Sequence, residues 1–376
     1  MRLSFLAAGL LVPSAYAFWR LPCATPVVNS RIDPIISPGK ASSHAHTIMG
    51  SNAIGYNTQF GDLRSSQCTT CMVRDDKSAY WIPELYYQNG KGFQAVDHGG
   101  MVVYYLQRNA ANETVEAFPD GLRMFTGNPY SRSFAGTSES KAISWNCINF
   151  NGPGQPDTPG FGNTNCPNGL RAQVFFPACW DGVNLDSPDH KSHMAYPDSV
   201  DSGQCPSTHP HHLVSIFFEV WFNVAQFNNL NDGGRFVLAN GDPTGYGLHG
   251  DFLNGWDRSV LSRAVQTCTD GSGVIENCPV FQNEGRFVSN ADMNSCAASN
   301  PLQENVSGPI PNLPGCVAVT NGPGPASSTD LVPGCTAAAS RRSSDEDLAA
   351  RAPEAVPGVN RRSHRAMRGQ DWLLSV

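Results

Sequence analysis

The sequence lacks the long apolar run that a membrane-spanning helix requires. Such a helix needs about 20 consecutive apolar residues, and the longest apolar stretch, over residues 3–12, is too short. Charged residues are also scarce, at 15%, and the net charge is −7, with a single basic run near the carboxyl terminus. Because affinity for duplex nucleic acid comes mainly from neutralising phosphates, we expect neither a membrane nor nucleic acid as a partner.

Several catalytic motifs are absent as well. The chain has no HExxH, no GxSxG and no phosphate-binding Walker loop. These absences disfavour a thermolysin-like protease, a hydrolase with a nucleophile elbow, and a P-loop nucleotide-binding protein. Only one CxxC is present, at residues 68–71, so a four-thiolate zinc site cannot be completed by a second pair. These four residues therefore favour disulfide formation over metal binding.

The amino terminus predicts export. A positive residue and an apolar run precede a small-x-small cleavage site at residues 15–17, so residues 1–17 are read as a signal peptide and the mature chain begins near Phe18. All 12 cysteines follow this cut. An even number of cysteines in an exported chain predicts disulfides, up to six here. Sequons for glycosylation at Asn112 and Asn305 agree with a secreted, extracellular glycoprotein.

Composition and periodicity predict a mostly β fold. Short aromatic and β-branched runs are separated by turns rich in the 36 glycines and 28 prolines. We expect one disulfide-rich domain of β-sandwich or jelly-roll type over residues 18–316, with long loops, one short helix at 260–266, and a monomeric state. Residues 317–376 hold few core-forming side chains, so a disordered tail is predicted there. The predicted strands cover residues 79–87, 100–106, 122–125, 143–147, 170–177, 213–222 and 236–239.

One polar loop, over residues 179–197, concentrates ionisable side chains. It contains two histidines, three aspartates, a tryptophan and a lysine, and it directly follows a predicted strand. Loops held by a rigid scaffold are where binding and catalytic residues concentrate. We therefore expect this loop to form one wall of a functional site.

Histidines elsewhere are spaced for a shared site. His44 and His46 are two residues apart, as are His249 and Asp251, and side chains two apart in a strand share one face. Neutral imidazole is the commonest metal ligand, so a divalent metal ion is one interpretation, and a pair of surface histidines is the other. The spacing matches no standard metal motif and does not identify the ion.

Three chemistries remain open at this point. Histidines could hold a metal ion, a pair of carboxyl groups could cleave a glycoside, or a histidine or tyrosine could abstract a proton in a lyase. Glu219 lies inside an apolar strand, so we expect it to be paired or protonated. All three chemistries predict that the histidine clusters converge on one cleft. The candidate carboxylates are Asp181, Asp186, Asp189, Glu219, Asp242 and Asp251.

Six sequence blocks carry a family resemblance: SHAHTIMG (43–50), LRSSQCTTC (63–71), DKSAYWIPELYY (76–87), FPACWDGVNLDSPDHKSHMAYP (176–197), CPSTHP (205–210) and GDPTGYGLHGDFLNGWD (241–257). In these blocks the chain resembles the secreted fungal family catalogued as domain of unknown function nineteen-ninety-six, over roughly residues 31–270. The resemblance implies an extracellular protein. Some members carry cell-wall or sugar-binding modules, but this sequence shows no such module. The motif positions that it indicates are His44, His46, Asp76, Trp180, Asp181, His190, His193, His209, Asp242, His249, Asp251 and Asp257.

Together these observations predict an extracellular carbohydrate-active protein. The leading hypothesis is an enzyme, a glycoside hydrolase or polysaccharide lyase, that cleaves cell-wall polysaccharide. The alternatives are a non-catalytic protein that binds glycan or cell wall, and a secreted metal-binding protein. The residues assigned to catalysis are His193, His249, Asp181 and Asp251, those assigned to substrate binding are Trp180, Trp256, His190, His209 and Asp242, and those assigned to a metal ion are His44 and His46.

Overall fold

The computed structural model describes residues 17–110, 112–228, 230 and 232–337. The signal peptide predicted over residues 1–17 therefore lies outside the described residues, except for Ala17. The part of the predicted tail after residue 337 lies outside them as well. None of the helices in the described ranges is long and apolar enough to cross a membrane.

Short strands dominate the described chain, as predicted from composition. The strands are β1 (Ala17–Cys23), β2 (Val28–Ser30), β3 (His46–Gly50), β4 (Ala79–Pro83), β5 (Leu85–Asn89), β6 (Gly92–Ala95), β7 (His98–Gln107), β8 (Arg123–Gly127), β9 (Ile143–Cys147), β10 (Leu170–Phe175), β11 (Cys179–Trp180), β12 (Met194–Ala195), β13 (His211–His212), β14 (Ser215–Phe222), β15 (Arg235–Leu238) and β16 (His249–Leu253). The α-helices are α1 (Phe60–Arg64), α2 (Ser138–Lys141), α3 (Arg258–Thr267), α4 (Pro279–Asn283) and α5 (Asn290–Ser295). Three 3-10 helices span Val224–Phe227, Ile275–Asn277 and Pro314–Cys316.

Two five-stranded antiparallel sheets form the centre of the fold. The first has the strand order β1-β7-β14-β10-β9, and the second has the order β2-β3-β4-β16-β8. Tyr80 of β4 packs edge-on against Phe218 of β14, with 5.6 Å between ring centroids. Its hydroxyl lies 2.6 Å from that of Tyr105 on β7. The two sheets therefore face each other across a shared aromatic core, and the prediction of a mostly β sandwich is confirmed.

The second sheet has an outer face that is also buried. Strand alternation sends Tyr80 and Phe252 inward, so Trp81, Asp251 and His249 point to the opposite side. Ile32, Ile35 and Cys296 belong to the apolar cluster that covers this side. Side chains that would meet water on a simple sandwich are thus enclosed beneath loops.

Six disulfides connect the loops to this frame. They join Cys23 to Cys71, Cys68 to Cys296, Cys147 to Cys166, Cys179 to Cys205, Cys268 to Cys278 and Cys316 to Cys335. No cysteine is free. The predicted maximum of six disulfides is confirmed, and residues 68–71 serve two different bridges. Cross-links of this kind stabilise a fold mainly by restricting the unfolded chain.

The helix predicted at 260–266 is present as α3. Asp257 precedes it and accepts hydrogen bonds at Oδ1 from the backbone N–H groups of Ser259, at 3.0 Å, and Val260, at 3.2 Å. Such an N-cap satisfies amide groups that lack a partner within the helix. Asp257, one of the family-motif positions, thus has a structural role.

The disordered tail predicted from residue 317 is wrong for residues 317–337. This segment is closed by the Cys316–Cys335 disulfide and pairs with itself through a bridge between Val317 and Leu331. The Thr320 amide donates to Gly241 O at 3.0 Å. Disorder was predicted because few side chains in this segment could form an apolar core. The segment is instead held by backbone hydrogen bonds and a disulfide, and neither requires apolar side chains.

Candidate metal centre

Three imidazole rings meet on the outer face of the second sheet. His46 begins β3 and His249 begins β16, while His44 lies in the turn before β3. The His44 ring centroid lies 4.4 Å from that of His46 and 5.0 Å from that of His249. The three residues are 7%, 0% and 1% exposed, respectively. One nitrogen of each ring lies within 4.8 Å of the others.

Backbone carbonyl groups determine which nitrogen carries the proton in two of these rings. His46 Nδ1 lies 3.1 Å from Ile32 O, and His249 Nδ1 lies 2.9 Å from Gly247 O. A carbonyl oxygen only accepts hydrogen bonds, so in both rings Nδ1–H is the donor. The Nε2 atom of each neutral ring then presents a lone pair. This is how a metal-binding histidine is usually oriented, by a hydrogen bond from its other nitrogen.

The third ring is arranged to adopt either tautomer. His44 Nδ1 lies 2.9 Å from the Ser43 hydroxyl, which can donate or accept. His44 Nε2 lies 3.0 Å from His249 Nε2. Without a cation, His44 Nε2–H donates to His249, and with a cation between them both Nε2 atoms are free to coordinate. Ser43 can satisfy Nδ1 in both states.

The environment keeps all three rings neutral. Burial lowers the pKa of His249 to about 4. Burial also lowers the pKa of His44 and of His46 well below the usual value. The neighbouring imidazoles lower the pKa of both residues further. Neutral imidazole is the form that coordinates metals. These rings therefore need no deprotonation before they can bind an ion at neutral pH.

The spacing fits one small cation with open coordination positions. At a zinc–nitrogen distance of about 2.0–2.1 Å, the 3.0 Å between the Nε2 atoms of His44 and His249 corresponds to an angle of about 90–95° at the ion. Nitrogens bound tetrahedrally to one ion lie about 3.4 Å apart at this bond length. The three nitrogens lie within 4.8 Å of one another, so binding requires a contraction of at most about 1.4 Å. Three ligands on one side of an ion leave its other side for water or substrate.

Several buried groups at this face have no hydrogen-bond partner within the described residues. They include His46 Nε2, Trp81 Nε1 and the Asp251 carboxyl group, of which both oxygens are unpaired. Asp251 lies two residues beyond His249 on β16, opposite Trp81. Burial raises the pKa of Asp251 well above its usual value, and the nearby Asp33 carboxyl adds to the effect. Buried polar groups without partners are costly, and a bound cation would satisfy the imidazole nitrogen.

A cleft of about 370 Å³ leads to this cluster. His44 and His249 form part of its lining, together with Asp33, Phe125 and Lys191. The Lys191 ammonium group lies 4.5 Å from the centroid of the Phe125 ring, donates to Gly127 O at 2.8 Å, and forms an ion pair with Glu139. Burial raises the pKa of Asp33 to about 6. The cluster is thus buried but open to a cavity with charged walls.

The structure does not bring the other predicted histidines into this cluster. His193, assigned to catalysis, has both nitrogens engaged, Nδ1 with the Ser187 hydroxyl at 2.8 Å and Nε2 with Arg123 O at 2.7 Å. His190 pairs with Asp186 at 2.8 Å, and His209 Nε2 lies 3.0 Å from Ser192 O. The expectation that all histidine clusters converge on one cleft therefore needs correction. Among the histidines that the structure describes, only His44, His46 and His249 meet, and the loop over residues 179–197 contributes Lys191 and Asp189 to the cleft.

Several predicted carboxylates hold their own loops together. Asp181 accepts hydrogen bonds from the backbone of Val183 and Asn184 and from the Asn184 side chain; although partial burial raises its pKa, these bonds produce a net lowering. Asp242 is fully buried and accepts from the amides of Thr244 and Gly247. By fixing Gly247, Asp242 also places the carbonyl that orients His249. Neither residue has an oxygen free to act on a substrate.

The predicted substrate-stacking tryptophans differ in exposure. Trp256 is 0% exposed, and its Nε1–H donates to the Tyr105 hydroxyl at 2.7 Å. Its ring belongs to the core and has no face available for a sugar, so its assignment to substrate binding needs correction. Trp180 is half-buried and donates to Asn184 O within its own loop. Glu219, which the sequence predicted to be either paired or protonated, is paired with Arg171 at 3.1 Å and with Tyr104 at 2.8 Å.

A second group of potential metal ligands lacks free thiolates. Cys179, Cys205 and His212 lie close together. The two sulfur atoms form a disulfide, and His212 Nδ1 pairs with Glu113 at 2.7 Å. A disulfide sulfur is not a thiolate, which is the form that binds metal. The three-histidine cluster is therefore the stronger candidate among the described residues.

Sequence reasoning did not assign roles to several residues around the centre. Asp33 and the carbonyl of Ile32 lie in a segment without any recognisable motif. Lys191 lies within the polar loop and could have been singled out as its one cation. The residues after Cys316 that line the cleft were read as a tail.

The fold and its site define an antiparallel β-sandwich protein with a buried three-histidine centre beneath an open cleft. The family described as Domain of unknown function (DUF1996) matches residues 33–256, more than half of the chain, and the protein belongs to this family. The match includes all three histidines of the cluster. Comparisons with curated proteins and with solved structures gave no match.

Proposed function

We propose that this protein is an extracellular, metal-dependent enzyme that cleaves polysaccharide, with His44, His46 and His249 holding a divalent metal ion. The observation that carries the proposal is the convergence of three neutral, buried imidazole rings at the inner end of a cleft. Backbone carbonyls accept from Nδ1–H in two of the rings, so the Nε2 atoms of His46 and His249 carry lone pairs. Without a cation, this arrangement leaves His46 Nε2 buried and unpaired within the described chain.

An all-imidazole ligand set favours zinc or copper among the divalent metals. Imidazole suits both ions, whereas magnesium and calcium prefer oxygen ligands. Three protein ligands with a remaining open position are typical of catalytic rather than structural zinc sites. When bound, such an ion would allow a water molecule to ionise near neutral pH, and the ion itself would polarise a substrate oxygen. The residues of the chain then have to bind the substrate and handle its protons.

The cleft wall supplies groups for both tasks. Asp33 lines the cleft with its carboxyl group, whose Oδ1 is held by the amides of Ile35 and Ile36. With a pKa raised by burial to about 6, this carboxyl can exchange a proton in the neutral range. Lys191 lies on the same cleft as a positive charge. We assign Asp33 to proton transfer and Lys191 to the stabilisation of negative charge on the substrate.

Polysaccharide is the proposed substrate because hydroxyl and amide side chains line the cleft alongside apolar ones. Ser43, Asn128 and Asn240 contribute polar side chains, and the ring of Tyr130 is 41% exposed beside them. Hydrogen-bonding groups around an accessible aromatic ring suit a polyhydroxylated ligand with one apolar face. The six disulfides and the exposed sequon asparagines Asn112 and Asn305 support an extracellular location.

The first test is metal analysis of protein that has been purified without an affinity tag. The wild-type chain should contain about one zinc or copper ion, since one three-ligand site is present. His46→Ala and His249→Ala should each lose most of it, while His209→Ala, which changes a histidine outside the cluster, should retain it. A wild-type content below about a tenth of an ion after incubation with either metal would refute the metal centre.

The second test measures cleavage. Metal-loaded and metal-free protein are incubated with neutral and acidic cell-wall polysaccharides, and released reducing ends and unsaturated products are quantified. Products that depend on both the metal and His249 support the proposal. Binding to a polysaccharide without any product over a long incubation would replace it with the non-catalytic, glycan-binding function.

A further inference from the structure

One wall of the cleft comes from a segment far along the chain, which we name the cleft loop: residues 317–331, enclosed by the Cys316–Cys335 disulfide. Eight of its residues line the cleft that leads to His44 and His249. The family match ends at residue 256. The family relationship thus covers the three histidines but not this wall.

A buried arginine attaches the cleft loop to the frame of the site. Arg132, 3% exposed, donates from Nε to Thr320 O at 2.9 Å and from Nη2 to the Thr320 hydroxyl at 3.1 Å. The same Nη2 donates to Asn240 O at 3.1 Å, and Asp242 lies 3.6 Å from Nε. Because Asp242 also fixes the turn that orients His249, one charged network positions both the wall and a proposed metal ligand.

Backbone contacts hold the loop close to the sheet. The Ala326 amide donates to Tyr130 O at 2.9 Å, and the Thr320 amide donates to Gly241 O. Gly241 has a φ of +76°, and a Cβ there would lie 2.1 Å from Ala318 O. Only glycine permits this approach without strain. The loop is therefore a fixed wall rather than a loose end that happens to lie over the cleft.

The side of the loop that faces the cleft combines small polar residues with apolar ones such as Val317 and Leu331. Ser327 and Ser328 are exposed and line the cavity, and Asp330 lies beside them and accepts a hydrogen bond from the Ser327 amide at 2.8 Å. Hydroxyl and carboxylate groups of this kind hydrogen-bond sugar hydroxyls, and small side chains leave the entrance wide. Loops on a rigid scaffold are where specificity commonly resides.

We propose that the cleft loop is a specificity-determining wall, which selects the sugar chains that reach the three histidines through the width left by Ser327 and Ser328 and the hydrogen bonds offered with Asp330. This inference rests on the proposed function for the nature of the ligand. The control of access to His44 and His249 does not depend on it.

The experiment uses two full-length variants that differ by one position. Ser328→Trp places a large ring on the cleft-facing side of the loop, and Thr329→Trp places the same ring on the next residue, which is exposed but does not line the cleft. Metal-free protein is treated with diethyl pyrocarbonate, and modification of His44 and His249 is followed by mass spectrometry. His209, which is outside the cleft, serves as the internal standard.

Ser328→Trp should slow modification of His44 and His249 about fivefold or more relative to His209, whereas Thr329→Trp should match the wild type. With polysaccharide, Ser328→Trp should lower kcat/KM about tenfold or more for long chains and less for short oligosaccharides, since pocket contacts of this size discriminate by about that factor. Unchanged modification rates in Ser328→Trp would refute the proposal that the cleft loop controls access to His44 and His249.

Failure of the proposed metal-dependent function can be distinguished from failure of the proposal about the cleft loop. If the wild type binds no metal and cleaves no polysaccharide, the modification rates still show whether the loop controls access. A Cys316→Ser/Cys335→Ser double variant releases the loop and should accelerate modification of both histidines. If Ser328→Trp slows modification but leaves the preference among polysaccharide chains unchanged, the loop controls access only, and its assignment to specificity is refuted.

Discussion

Glu84 provides the clearest quantitative test of the fold around the centre. It lies between β4 and β5, where its amide donates to Ala45 O at 3.1 Å and its carbonyl accepts from the Ala239 amide at 2.8 Å. The side chain is 1% exposed. Its Oε1 accepts from the Leu85 amide at 3.2 Å, and Oε2 has no partner in the described part of the chain. A carboxyl group in this setting is stable only when protonated.

The magnitude follows from linkage between ionisation and folding. Burial raises the pKa of Glu84 from 4.5 to about 8, with a smaller contribution from the charge of Asp97. Between these two values the folded chain retains a proton that the unfolded chain has released, so the free energy of unfolding falls as the pH rises. At about 1.4 kcal/mol per pKa unit, this group removes about 5 kcal/mol of stability between pH 4.5 and pH 8.

The perturbation is Glu84→Gln, which keeps the shape of the protonated side chain and cannot ionise. Unfolding by guanidinium chloride is measured at pH 5, 6.5 and 8 with the disulfides intact. At pH 5 the variant should be close to the wild type, and at pH 8 it should be more stable by several kcal/mol, with about 5 kcal/mol as the upper bound. Glu276→Gln, which removes an exposed carboxylate, controls for the loss of one negative charge. If the free energies of unfolding of Glu84→Gln and the wild type change in parallel between pH 5 and pH 8, the assignment of a raised pKa to Glu84 is refuted.

Two further predictions concern the metal and a helix cap. Metal at about 100 times its dissociation constant should stabilise the wild type by about 2.7 kcal/mol, seen as a higher Tm, and His46→Ala should abolish the increase; an equal increase in both proteins would contradict the assigned ligands. Asp257→Ala should lower the free energy of unfolding by about 1 kcal/mol, because two amides of α3 lose their acceptor. Asp257→Asn should retain most of that stability in the same denaturant titration, and equal losses in both variants would contradict a capping role.

Local patterns predicted the frame of this protein well. The apolar run at residues 213–222 became β14, and the run at 170–177 became β10, because alternation and β-branched content are properties of a strand by itself. The even number of cysteines in a chain with a predicted export signal likewise predicted complete pairing. Such inferences need no knowledge of distant contacts.

Burial and convergence could not be predicted in the same way. Trp256 and Trp180 lie in similar glycine- and aspartate-rich stretches, yet one is in the core and the other is half-buried. Residues 317–337 are held in part by contacts with distant residues such as Arg132, which is 188 positions away from Thr320. Spacing of two suggested the pairs His44–His46 and His249–Asp251, but only tertiary structure reveals that three of these four residues meet.

The way in which the three rings meet indicates how the centre would respond to a metal ion. β4 lies between β3 and β16, so the strands that carry His46 and His249 are separated by two strand spacings, or about 10 Å. Their rings are 6.0 Å apart, whereas the His44 ring lies closer to both. His44 belongs to a turn and bridges two ligands that the sheet fixes. The His44 and His249 Nε2 atoms are already 3.0 Å apart, so the contraction required for coordination falls mainly on the separation between His46 and His249. His44 adapts by a change of tautomer, which its Ser43 partner tolerates.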